Sequence, residues 1–183
     1  MESLIALDKT IFSWLNAGLA NPVFDFLMPI ITDARYWMPV YVAGLLYLII
    51  KGGVRGRVVA ATLIATAIVS DQISSQVLKH LFDRPRPCHS LDELRLLIKC
   101  GSGKSFPSSH SVNNFAAATV LMYFFRKYKY VFYSIAAIIA FSRVYVGVHY
   151  PLDITAGAAI GILIGWAMVW LSDYVTNKYK IGK

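Results

Sequence analysis

At 183 residues the chain suits one domain, but 57% hydrophobic content with only 15% charged residues is too apolar for an ordinary soluble core. The excess of 18 Lys+Arg over 10 Asp+Glu lies in the connections between apolar segments, not along one amphipathic face. That distribution argues against a nucleic-acid binder and for membrane orientation and anionic headgroups.

In chain order, residues 4–19 carry apolar side chains at helical spacing, broken by Asp8, Lys9 and Asn16, and Pro22 separates them from residues 23–31. The pattern predicts an interfacial amphipathic helix and then a short dipping helix, with a sixth full span as the alternative. No cleavable signal sequence is read in a start of Met-Glu-Ser followed by Asp8 and Lys9, so the first helix is expected to stay in the mature protein. Five further segments, 36–50, 58–78, 112–125, 130–145 and 152–171, approach or meet the about 20 apolar residues that a bilayer crossing needs. The predicted fold is all-α: a polytopic membrane helix bundle of five spans, or six, with an N-terminal amphipathic helix, forming a single domain over residues 1–183.

Three cation clusters fall on one side of these segments: Lys51, Arg55 and Arg57; Arg126, Lys127 and Lys129; and Lys178, Lys180 and Lys183. By the positive-inside tendency that side is cytoplasmic, which puts residues 79–104 and 145–151 on the outer face of the cytoplasmic membrane. Gly157, Gly161 and Gly165 recur every fourth residue in the last segment, a stripe that suits close helix packing. Asp71, Gln72 and Gln76 are polar near the outer end of the second segment, where they either brace a site or simply meet the headgroup region.

Three polar islands gather on the outer side. In the first, Lys79 and Arg86 can hold phosphate oxygens, as can Arg143 in the third. In the second, Ser108 and Ser109 precede a helix whose free N–H groups would cradle a phosphate, with His110 just inside as a proton donor. In the third, His149 and Asp153 sit four positions apart around Pro151, so a carboxylate can orient an imidazole for attack on phosphorus. Cys88 and Cys100 share the long outer loop; a disulfide and two free thiols are both open. No grouping has familiar zinc or magnesium spacing, and no metal or cofactor is expected.

Lys79-x6-Arg86-Pro87, Pro107-Ser108-Ser109-His110 and Ser142-Arg143-x5-His149-x3-Asp153 resemble the three signature motifs of the type 2 phosphatidic acid phosphatase superfamily, in order and in spacing, over residues 79–165. The resemblance implies that His149 is a nucleophile forming a phosphohistidine, that Asp153 orients it, and that His110 acts as general acid and then activates water. It also implies that Lys79, Arg86, Ser108, Ser109 and Arg143 bind phosphate without a metal. One position departs: Ser109 stands where the family commonly has Gly, and a small residue still lets its N–H approach phosphate.

The implied activity is removal of phosphate from a membrane lipid: undecaprenyl diphosphate, a lipid A phosphate or phosphatidylglycerol phosphate. The Arg-Pro-Arg-Pro-Cys and Tyr-Val-Gly-Val-His-Tyr-Pro segments resemble undecaprenyl diphosphatases most. No nucleic acid and no obligatory protein partner is expected. The competing readings are a lipid or ion transporter, which would show inverted repeats and helices broken at mid-membrane, and a vanadium-dependent haloperoxidase, which would be soluble.

Overall fold

Polar punctuation sets where the helices begin. The Asn21 side chain accepts from the Phe24 N–H at 2.9 Å and Pro22 takes the first helical position, starting one helix; Asp33 accepts from the Arg35 N–H at 3.0 Å, starting the next. The computed structural model describes residues 2–181 and shows α1 Glu2–Ser13, drawn out by a π-wound turn Trp14–Gly18, then α2 Pro22–Thr32, α3 Ala34–Lys51 and α4 Gly53–Gln72. The last of these runs on through a π-wound turn Ile73–Leu78 and an α-turn Lys79–Phe82, where Asp83 ends it in the left-handed conformation at φ 46°. After a long loop come α5 Ser109–Phe124, α6 Lys129–Tyr145 and α7 Pro151–Lys178. Among the described residues there is no strand.

Each predicted apolar segment falls on a helix. Two stretches are both long and apolar enough to cross a bilayer, Gly53–Ser90 and Pro151–Lys178. With 16 and 17 residues, α5 and α6 are shorter than the about 20 of a perpendicular crossing, so helix lengths alone do not give the predicted five or six spans.

The N-terminal helix differs from its sequence reading in one respect. Asp8, Phe12 and Asn16, one turn apart, are buried, while Leu4, Ile5, Leu7, Ile11 and Trp14 are exposed. Lys9 is exposed, but Asp8 and Asn16, which also seemed to interrupt the apolar pattern, point inward. They can be inward because each is fully engaged: Asn16 donates to the carbonyls of Tyr145 and Arg95 and accepts from the Arg95 N–H, all within 2.8 Å.

The middle of the bundle is α5, held by α4, α6 and above all α7. The glycine stripe makes that last contact possible. A Cβ at Gly161 would lie 2.3 Å from the Val112 carbonyl oxygen, and one at Gly165 would lie 2.6 Å from the Thr119 side chain. Neither neighbour can retreat without moving α5. Gly161→Ala is expected to cost about 1–3 kcal/mol of stability, the usual range for overpacking, and to lower the thermal midpoint in detergent. Because α5 and α7 carry His110 and Asp153, their close seating also fixes the relative position of the second and third islands.

Candidate active site

His149 lies in the turn between α6 and α7, 1% exposed. The turn folds back on itself, with the N–H groups of Val148 and His149 both donating to the Arg143 carbonyl at 3.2 Å. Gly147 allows the reversal: its φ is +89° and a Cβ there would meet the Arg95 carbonyl oxygen at 2.5 Å. The next residues enter α7 through Pro151, and Asp153 reaches back to accept from the Tyr150 N–H at 2.8 Å.

The ring nitrogens of His149 have distinct neighbours. Nδ1 is 3.4 Å from Asp153 Oδ2, and Nε2 is 3.3 Å from Arg86 Nη1. A guanidinium can only donate, so Nε2 must present its lone pair and Nδ1 its proton, directed at the carboxylate. Burial pushes the imidazole down to about 4, against the opposing pull of the Asp153 hydrogen bond, so the ring is neutral at physiological pH. Neutral imidazole with a free Nε2 lone pair is the nucleophilic form.

Arg86 is itself held, donating from Nε to the Gly103 carbonyl at 2.8 Å and from Nη1 to the Val148 carbonyl at 3.3 Å. Arg143 donates to Thr32 Oγ1 at 2.7 Å, which ties α6 to the end of α2. Its Nε is buried without a partner, as is the Ser108 hydroxyl. Ser108 begins α5 but its side chain makes no cap bond; the first N–H groups of a helix have no intrahelical partners. Two unpartnered buried polar groups and a helix N-terminus are what an oxyanion would satisfy.

His110 and Arg143 line a cavity of about 540 Å³ with Thr32, Arg35, Ile98 and Lys99. The charges of Arg143 and Lys79 are near enough to act on His110. His149 is not part of the cavity wall, so an anion reaching Nε2 has to take the place of the Arg86 contact. Ser109 turns toward the π-wound turn that follows α4, 3.2 Å from the Ser75 hydroxyl. The structure thus gathers Lys79, Arg86, Ser108, His110, Arg143, His149 and Asp153 at one end of the bundle and directs the Ser109 hydroxyl to its edge. A second cavity of about 510 Å³, between Arg55, Tyr123, Phe124, Arg126 and Asp173, lies at the opposite end and holds neither histidine.

Among the described residues, one group combines metal-type donors: Cys88, His89 and Cys100. The two cysteines are bonded to each other, with Cα atoms 6.2 Å apart, so the group offers no thiolates.

Residues 59–177, well over half of the chain, match the family model described as PAP2 superfamily. The chain belongs to the PAP2 superfamily. It is 31% identical over 98% of its length to a lipid A 4'-phosphatase of Bacteroides thetaiotaomicron, covering 83% of that protein. It is 28% identical over 98% of its length to the lipid A 4'-phosphatase of Porphyromonas gingivalis, covering 78% of it. The crystal structure of Aquifex aeolicus LpxE superimposes with a TM-score of 0.72 and 26% identity, over 89% of this chain and 94% of that one. As a PAP2 phosphatase the chain is a hydrolase of phosphoric esters.

Several residues of this candidate site were not singled out by the sequence. Asp153 is held by Arg84 at 2.7 Å and by the Ser105 hydroxyl, and Arg143 by Thr32. Arg84 lies inside the first motif and was legible there only as one more loop cation. Thr32 and Ser105 stand in no motif at all, and only the folded chain brings them near.

Proposed function

We propose that the chain is a metal-independent lipid phosphatase working through a phosphohistidine. His149 Nε2 attacks phosphorus, and the bond from phosphorus to the lipid oxygen breaks as His110 gives that oxygen a proton. A water, deprotonated by His110, then attacks the phosphohistidine and releases inorganic phosphate. A dianionic phosphate beside His110 favours the protonated ring that the first step requires. Lys79, Arg86 and Arg143 stabilise the charge on the equatorial oxygens, together with Ser108 and the N-terminus of α5.

The observation that carries this proposal is the pairing at His149: Nδ1 toward a buried carboxylate, Nε2 toward a guanidinium that a phosphate can replace as neighbour. Metal independence is supported by how fully Asp153 is engaged, accepting from Arg84, Ser105, the Tyr150 N–H and His149. A carboxylate so occupied has no oxygen left to bind an ion.

We place the site at the outer face of the cytoplasmic membrane, with α3 to α7 as five crossings of one domain. The opposite end supports this, since Arg55 donates to the Phe124 carbonyl at 2.8 Å and so brings the Lys51–Arg57 and Arg126–Lys129 clusters together. The substrate class we favour is a glycolipid phosphate such as that of lipid A, because the relatives aligned over 98% of the chain carry that name. Undecaprenyl diphosphate and phosphatidylglycerol phosphate are the competitors.

The test is phosphate release in detergent from all three lipids, with His149→Ala as blank. Release is expected, fastest from the lipid A phosphate; none from any lipid would favour a transporter. A chelator is expected to leave the rate unchanged, and a loss restored by added magnesium would contradict the metal-free mechanism.

A further inference from the structure

Among its described side chains, the N-terminal helix contributes one charged group to the interior, and nothing in the motifs accounts for it. Asp8 is 2% exposed. Its Oδ2 takes a hydrogen bond from Arg84 Nη2 at 2.5 Å and its Oδ1 takes one from the Leu152 N–H at 2.9 Å, in the first turn of α7. Arg84 spans the gap to Asp153, with Nη1 at 2.7 Å from Asp153 Oδ1 and its guanidinium carbon 4.1 Å from the centre of the Tyr150 ring. The other oxygen of Asp153 faces His149. A continuous chain of contacts therefore runs from α1 to the ring that the proposed mechanism uses.

We propose that Asp8 is a positioning residue: by sharing Arg84 it leaves Asp153 a working negative charge toward His149, and it holds that carboxylate at the start of α7. The reasoning is one of charge. Paired with Arg84 alone, Asp153 would be close to neutralised and would contribute little to an imidazolium-like transition state. With Asp8 added, two carboxylates and one guanidinium leave a net charge of −1 on the Nδ1 side of the ring, across from the Arg86 guanidinium at Nε2. A buried carboxylate on a peripheral helix is costly unless paired, and here its partner is the cation that would otherwise cancel the orienting residue. The inference rests on the nucleophile assignment for His149, and it goes beyond the motifs by making α1 part of the reaction machinery.

Asp8→Asn keeps the size of the side chain and an acceptor for Leu152 but removes the charge. It is expected to lower kcat by about 10- to 100-fold, the usual effect of losing a residue that orients a reacting group, with KM little changed. Arg84→Gln placed on top of it returns the local charge to −1, since only Asp153 remains ionised. The double variant is therefore expected to be faster than Asp8→Asn alone. Thermal midpoints in detergent and the Asp8→Glu variant, expected to retain most of the activity, separate this effect from misfolding. If Asp8→Asn turns over like the parent while His149→Ala is dead, this inference fails and the nucleophile assignment stands. If the two losses simply add, Asp8 is a structural ion-pair partner and the inference also fails. If His149→Ala keeps full turnover, the assignment itself falls and takes the inference with it.

Discussion

Replacing His149 with alanine is expected to remove measurable turnover, a loss on the order of 10⁴–10⁶-fold, as when the nucleophile of a coupled catalytic group is deleted. The size follows from the site's architecture. Three features of the site bear on the Nε2 lone pair alone: Asp153 orients it, Arg86 faces it, and the fold of the 146–149 turn onto the Arg143 carbonyl holds it in place. Removing the imidazole leaves those groups with nothing to act on. What survives is the anion pocket, so the variant is expected to bind a phosphorylated lipid while failing to release phosphate from it. Stability should suffer less than activity, because the ring is neutral and its removal leaves no buried charge unpaired beyond those Arg84 and Ser105 already engage.

His110→Ala is the second large effect, expected to reduce kcat by about 10²–10⁴-fold, the ordinary yield of a general acid. The loss should depend on the leaving group. An activated ester such as a nitrophenyl phosphate needs no proton on its departing oxygen, so formation of the phosphoenzyme from it should be slowed much less than from a lipid substrate. Its breakdown should remain slow, since the same ring activates the water. Release of the nitrophenolate in an initial burst followed by a slow steady rate is the expected pattern. Equal slowing of both substrates in both steps would place His110 outside the proton transfers.

The sequence revealed the helices well because their apolar runs are long and two of their starts are marked by Pro22 and Pro151, whose preference for the first helical turn is local; the caps at Asn21 and Asp33 carry the same kind of local signal but were not read from it. The three islands were legible for the same reason, since each is a short run with fixed internal spacing. What was not legible depends on contacts distant in the chain. Asp8 and Asn16 looked like flaws in an amphipathic pattern, and only their partners, Arg84 and the Tyr145 carbonyl, show why burial is tolerated. Thr32 and Ser105 are small hydroxyl residues without a motif, and a hydroxyl's partner is set by tertiary position alone. The span count suffered differently: hydropathy places apolar segments, but α5 and α6 are short helices whose passage through a bilayer depends on their neighbours.

The most direct measurement is to trap the enzyme during turnover with an alkaline quench, which preserves phosphorus–nitrogen bonds, and to locate any phosphoryl group on the peptide chain by mass spectrometry. The expected result is a phosphoryl group on His149 that builds up with His110→Ala and is absent with His149→Ala. Steady release of phosphate with an unmodified His149, or with the group on another residue, would contradict the mechanism outright.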